Sequence, residues 1–139
     1  PVIGVFYGAE YQDNSTGDVK FVRSIASGTV AKAQYKAYVY DNPYCLFKMQ
    51  ADQVVSAIAA TDVGKNVQIV AAPSGSSTTH KSGLVADSST VATGNAGFPL
   101  QVLGSADADL SYSAIGTTMS ILVKINTHQR GIATGNAGI

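Results

Sequence analysis

Two histidines, one cysteine and a closely spaced pair of aspartates are the residues of this chain that could do chemistry. His80 lies in Ser-Ser-Thr-Thr-His-Lys and His128 in Val-Lys-Ile-Asn-Thr-His-Gln. Zinc takes three or four nitrogen, sulfur or carboxylate ligands at recurring short spacings, and neither histidine has a partner at such a spacing. Each reads as a solvated or structural histidine. Cys45, between Tyr44 and Leu46, reads as a small buried hydrophobe. A reactive thiol wants an electropositive, partly exposed setting. Cys45 and a histidine would make a nucleophile–base pair only if folding joined them. Asp107 and Asp109 could bind calcium, but the third oxygen ligand, the glycine and the late glutamate of a calcium loop are missing. Gly94-Asn-Ala-Gly97 lacks the lysine and the strand–helix context of a phosphate loop. The expectation is therefore no catalytic residue, no cofactor and no metal site, in a protein that is not an enzyme.

Composition limits the partners. The 139 residues are 45% hydrophobic and 13% charged, about half the usual ~25% charged share. Disorder goes with the reverse balance. Lysine plus arginine and aspartate plus glutamate each number 9, so the net charge is zero. Nucleic-acid affinity rests largely on phosphate neutralisation, so no direct nucleic-acid contact is expected. No run approaches ~18 consecutive apolar residues, so no membrane helix is expected, and no stretch reads as a signal peptide. A lone cysteine fits assembly in a reducing compartment.

The elements that would position side chains are short and mostly extended. Val2–Tyr7 and Val19–Ile25 flank the turn cluster Asp13-Asn-Ser-Thr-Gly17 and suggest a hairpin. From Gln34 to Tyr40, Tyr35, Ala37 and Val39 alternate with Lys36, Tyr38 and Tyr40. After the turn Asp41-Asn-Pro43, Cys45, Phe47 and Met49 alternate with Tyr44, Leu46 and Lys48. Residues Ala51–Ala60 read either as the one short helix, with Asp52 as its cap and Val54, Val55, Ile58 and Ala59 as its stripe, or as an irregular β excursion. Thr61-Asp-Val-Gly64 reads as a capped turn ending at glycine. Further strands are expected at Val67–Ala71, Leu84–Val85, Phe98–Leu103 and Thr118–Asn126, with Pro99 at the start of its strand. Pro73–Ser82 is a low-complexity loop. Ala92-Thr-Gly-Asn-Ala-Gly97 recurs as Ala133–Gly138 and reads as one small-residue turn used twice. About seven to nine short strands with at most one short helix describe an all-β fold, a sandwich or a jelly-roll-like barrel. Its core is expected from Val67, Ile69, Leu100, Val102, Ile121, Val123 and Ile125.

Seven tyrosines are present, and Tyr35, Tyr38, Tyr40 and Tyr44 fall within ten residues. Tyrosine joins a large apolar body to a polar tip, which suits interfaces and sheet rims alike. Residues 1–40 read as a strand-rich arm that contacts neighbours, and 41–139 as the β domain. The interface candidates are Val2, Ile3, Val5, Phe6, Tyr7, Tyr35, Tyr38 and Tyr40.

The order of landmarks from Asp41 onward resembles a known family. Leu46-Phe-Lys-Met-Gln-Ala-Asp52 leads to Ala60-Thr-Asp-Val-Gly-Lys-Asn66. A Ser/Thr-rich loop precedes Ser82-Gly-Leu84 and Asp87-Ser-Ser89, and Leu100-Gln-Val-Leu103 and Val123-Lys-Ile-Asn-Thr-His-Gln129 complete the set. This pattern, over about two thirds of the chain, resembles the capsid cement or decoration proteins of tailed bacteriophages. The loop Gly104–Gly116 departs from it, and the first forty residues match no named pattern. The resemblance implies a structural virion protein on the outer capsid surface, assembled in the host cytoplasm. Its partners would be a major capsid protein of the HK97-type fold and copies of itself. The rival reading is a carbohydrate- or receptor-binding β module of a virion fibre or surface. A small hydrolase is the second rival, disfavoured by the scarcity of reactive groups.

Overall fold

The structure is a computed structural model and describes residues 1–24, 35–52, 56–71, 82–106, 119–131 and 133–139. Alternation of apolar and polar residues dictates its main body. In β8 (Met119–Ile125) every second residue, Met119, Ile121, Val123 and Ile125, is buried. That is the period of a strand with one face in a core. β4 (Leu46–Ala51) turns Phe47, Met49 and Ala51 inward and Leu46, Lys48 and Gln50 outward. β5 (Asn66–Ala71), β6 (Leu84–Ala92) and β7 (Leu100–Ser105) complete a closed five-stranded barrel in the order β4-β6-β5-β7-β8. Closure removes the exposed strand edges that invite aggregation.

The core consists of Ala51, Ile58, Val67, Ala86, Leu100, Val102, Met119, Ile121, Val123 and Ile125. Ile69, expected in the core, is half-buried and packs against it. All neighbouring barrel strands are antiparallel except β4 and β6, which meet in parallel at Ala51 and Ala86 alone. Side-chain bonds reinforce that short seam. The Asp52 amide donates to Ala86 O (3.1 Å), while Asp52 Oδ1 accepts from the Ser88 amide (3.0 Å) and hydroxyl (2.7 Å).

Among the described residues of Ala51–Ala60 the expected helix is not seen: Ala51 closes β4 and residues 56–59 are irregular, while 53–55 lie outside the described residues. Asp52 Oδ1 accepts from Ser88, and Ile58 enters the core from irregular backbone. The one helical turn among the described residues is a 3-10 turn at Ala60–Asp62. Leu84–Val85 was too short an expectation. β6 runs nine residues through the polar stretch Asp87–Thr90, because Ser88 is buried on Asp52 and Thr90 Oγ1 accepts from the Gln68 amide at a bulge. Cys45 is half-buried rather than a core residue. The loop Pro73–Ser82 and the segment Ser105–Gly116 fall largely outside the described residues, with His80, Asp107 and Asp109 among them.

The two copies of Ala-Thr-Gly-Asn-Ala-Gly meet at the barrel rim. Gly94 and Gly135, equivalent in the two copies, both adopt left-handed backbone, with φ of 77° and 72°. Asn66 Nδ2 donates to the carbonyls of the equivalent residues Asn95 (2.9 Å) and Asn136 (2.7 Å). Asn126 Nδ2 points at Ala96 O (2.9 Å), Phe98 O (3.0 Å) and Asn136 O (3.1 Å), and its Oδ1 accepts from the Asn136 amide (2.9 Å). Both asparagines are buried.

The first forty residues build a second sheet. β1 (Val5–Gln12) pairs antiparallel with β2 (Val19–Val22) on one side and β3 (Tyr35–Tyr40) on the other. Among the described residues, the extensive strand-to-strand contacts stay within each sheet. A seam joins the two. Val2 pairs in parallel with His128, its amide donating to Thr127 O (2.6 Å) and its carbonyl accepting from Gln129 N (2.9 Å). The Val2 side chain packs against the barrel core, and Arg130 forms an ion pair with Asp41.

Two outcomes follow from the rim. Replacing Asn126 by alanine removes the side-chain donor from the part-buried carbonyls of Ala96 and Phe98, while Asn136 O keeps Asn66, at ~1–3 kcal/mol for each group stranded. Asn126→Ala should lower the unfolding free energy by about 2–3 kcal/mol in urea titration, whereas exposed Gln12→Ala should stay within about 0.5 kcal/mol.

Asp62, at the same rim, is subject to burial, which works to raise its pKa. The Lys65 ammonium (2.8 Å) and the Ala59 amide (2.8 Å) outweigh it, so the carboxyl is held below its ordinary value. A depressed carboxylate pKa stabilises the fold above the unfolded value of ~3.9, and the stabilisation is lost as pH falls through the folded value. Asp62→Asn should therefore be less stable by up to about 1 kcal/mol at pH 7. The gap should close in urea melts as pH falls below about 4.

Candidate functional site: an exposed aromatic sheet

The second sheet differs from the barrel in what it leaves in water. Ile3, Val5, Phe6, Tyr7, Val19, Phe21, Val39 and Tyr40 are between 40 and 67% exposed. Isolated exposed apolar residues are ordinary, but contiguous patches mark contact surfaces.

Pairing register sorts these residues between two faces. Val5 lies opposite Tyr40, Gly8 opposite Tyr38, and Glu10 opposite Phe21 and Lys36. Tyr7 is the extra residue of a bulge between Phe6 and Gly8. Bulges add an unpaired residue and re-aim its side chain. The result is a row of rings across one face. Tyr40 and Tyr7 meet edge-on at 5.3 Å, Tyr7 and Phe21 lie 5.8 Å apart, and Phe21 and Tyr38 6.0 Å apart. Such pairs contribute about 0.5–1.5 kcal/mol each beyond area burial. On the opposite face Tyr11 meets Tyr35 at 5.4 Å, near Ala9, Ala37, Phe6 and Val39.

Polar groups fix the row. Tyr38 Oη donates to Glu10 Oε2 at 2.7 Å, and Lys36 Nζ sits 5.4 Å above the Tyr38 ring. Gly8 leaves space for the row, since a Cβ there would overlap the Phe21 ring. The hairpin turn is organised by Asp13, which accepts from the Ser15 amide (2.9 Å) and hydroxyl (2.6 Å) and pairs with Lys20. The Lys20 ammonium first, and then Ser15, hold the Asp13 carboxyl well below the usual carboxylate range.

Of the eight residues expected at an interface, Ile3, Val5, Phe6, Tyr7 and Tyr40 are exposed, and Tyr35 and Tyr38 are half-buried within the sheet. Val2 stands apart, because its backbone and side chain are engaged at the barrel seam. Val19, Phe21 and Val39 were missed. The expected hairpin between Val2–Tyr7 and Val19–Ile25 is shifted, since Val19–Val22 pairs with Ala9–Gln12 while Val5 and Phe6 pair with β3, a register that the spacing of apolar runs does not give.

His128 is buried. Its Nδ1 accepts from the Arg130 amide (3.0 Å), and its Nε2 has no hydrogen-bond partner among the described residues. It is a structural residue of the seam. Among the described residues no three histidine, cysteine, aspartate or glutamate side chains gather as a metal site would require, and no helix is long and apolar enough to cross a membrane.

Gly8→Val tests the ring row. Its side chain must displace Phe21, at about 1–3 kcal/mol for overpacking. The expected result is loss of ring-current shifts on Tyr7 and Tyr38 in NMR spectra, with the barrel resonances of Ile121 and Val123 unchanged.

Comparison with known proteins finds no family model, no curated protein and no solved structure that matches this chain.

Proposed function

We propose that this chain is a non-enzymatic structural protein of a phage virion, a cement or decoration protein bound to the outside of a shell of HK97-type major capsid protein. The observation that carries this reading is the concentration of exposed apolar and aromatic residues on the sheet of β1–β3, outside a barrel that already has its own core. Aromatic side chains dominate interface energetics, so such a sheet is suited to cover a joint between capsid subunits. The landmarks from Leu46 to Gln129 support the same reading by resemblance, and neutral charge suits dense packing of identical copies.

The mechanism is additive. A protein that binds only the intact shell stabilises it by mass action, by about 2.7 kcal/mol per site at a hundredfold excess over the dissociation constant. Repeated over a lattice, that term raises the stress needed to rupture the shell without any role in assembly chemistry. Particles that lack the protein should assemble with normal geometry and release their genome at lower temperature or milder osmotic shock. Tyr7→Ser with Phe21→Ser should weaken shell binding by about thirtyfold or more, the consequence of losing ~2 kcal/mol at a hot spot. Unchanged rupture temperature in stripped particles would overturn the proposal.

The ring row supports one rival, a carbohydrate- or receptor-binding module, because sugars stack on exposed aromatic faces. Saturable binding on a glycan array, lost with Tyr7→Ser and Phe21→Ser and accompanied by unchanged particle rupture, would favour it.

A further inference from the structure

The segment 133–139 after β8 lies on the barrel rim as a peptide lies in a receptor groove. Five hydrogen bonds hold residues Asn136–Ile139. Asn66 Nδ2 and Asn126 Nδ2 donate to Asn136 O, and the Asn136 amide donates to Asn126 Oδ1. The Gly94 amide donates to Gly138 O (3.2 Å), and the Ile139 amide to Gly64 O (3.2 Å). The groove walls come from elsewhere in the chain: Gly64 to Asn66 entering β5, Gly94 to Ala96 between β6 and β7, and Asn126 beyond β8.

Two features separate this strap from the fold. It contributes nothing to the apolar core, and its described residues are exposed except for half-buried Gly135 and Gly138. The fit is also selective. A Cβ on Gly135 would overlap Ala96 O, and one on Gly138 would lie 2.8 Å from the Asn66 amide nitrogen and 2.9 Å from Lys65 Cα. Contacts that close exclude any side chain, so the groove reads a Gly-x-x-Gly backbone, here Gly135-Asn-Ala-Gly138. In the groove wall, Gly94-Asn-Ala-Gly97 has the same sequence and presents Asn95 O to the same Asn66 amide.

We infer that this rim groove is a peptide-binding site for Gly-Asn-Ala-Gly segments, and that the strap of a second copy of the chain can fill it. The five hydrogen bonds are the same whichever copy supplies the strap. Exchange of an identical element is a low-cost route to linked copies. This site is distinct from the aromatic sheet and does not depend on the role proposed for it.

The test uses full-length chains. Gly138→Val cannot seat its own strap and leaves its groove open. Asn66→Ala keeps a normal strap and weakens its own groove. Circular dichroism establishes that each variant folds. A labelled peptide of residues 133–139 should bind the Gly138→Val chain saturably at one per chain, and at least tenfold more weakly to the unmodified chain, whose groove is filled. The same peptide with valine in place of Gly138 should also bind at least tenfold more weakly. An equimolar mixture of the two variants should sediment as a 1:1 dimer, while each alone stays monomeric. A Gly138→Val chain that fails to fold would show the strap to be integral to the barrel and overturn the proposal. A folded variant that binds no peptide, or no mixed dimer where the peptide saturates, would overturn it as well.

Discussion

Two buried side-chain amides, Asn66 and Asn126, hold together parts of the chain that the barrel ladder does not reach. The loop between β6 and β7 and the segment after β8 both expose backbone carbonyls at the rim, away from strand partners. A buried carbonyl without a donor costs free energy comparable to a lost hydrogen bond. Asn66 directs both amide hydrogens at Asn95 O and Asn136 O, and its own Oδ1 has no partner among the described residues. Asn126 shares its two amide hydrogens among the carbonyls of Ala96, Phe98 and Asn136, the last of which Asn66 also serves. The Asn126 backbone N–H donates to Pro99 O, and two residues on the chain reaches His128 and the Val2 seam.

The barrel and the three-stranded sheet solve the same problem in opposite ways. Five short strands can bury one face each by closing, and β8 shows it with strict alternation. Three strands cannot close, so β1–β3 leave apolar side chains on both faces in water. Three strands with apolar contacts are about the minimum for independent stability. Cross-strand rings, the Tyr38–Glu10 bond and the Asp13 turn supply local order. The Val2–His128 pairing and the Arg130–Asp41 ion pair moor the sheet at its base. Exposed apolar and aromatic residues contiguous on one sheet are the kind of surface that marks a contact.

Period and turn chemistry, which are local, were legible in the sequence. Alternation placed Met119, Ile121, Val123 and Ile125 on one face, and the division of Tyr35, Ala37 and Val39 from Lys36, Tyr38 and Tyr40 matches the pairing with β1. The turn cluster at Asp13–Gly17 joins a real hairpin, and Asp62–Gly64 closes a real turn. The helix expected at Ala51–Ala60 is not seen among its described residues, and Asp52 accepts from Ser88, thirty-six residues away, a partner that spacing along the chain does not register.

The sequence by itself determined the all-β class, most core positions and the apolar richness of the first forty residues, because each depends on neighbours one to four residues apart. Only the tertiary structure decided that the strands divide into a closed barrel and a separate sheet, since pairing partners are set by long-range register. It also decided that Tyr7 and Phe21 join Tyr38 and Tyr40 in one row, through a bulge and a glycine that spacing does not reveal. The repeated hexapeptide was visible as a turn used twice. That its two copies would meet on one buried asparagine depended on the path of the chain around the barrel, which brings residues 70 positions apart within hydrogen-bonding distance.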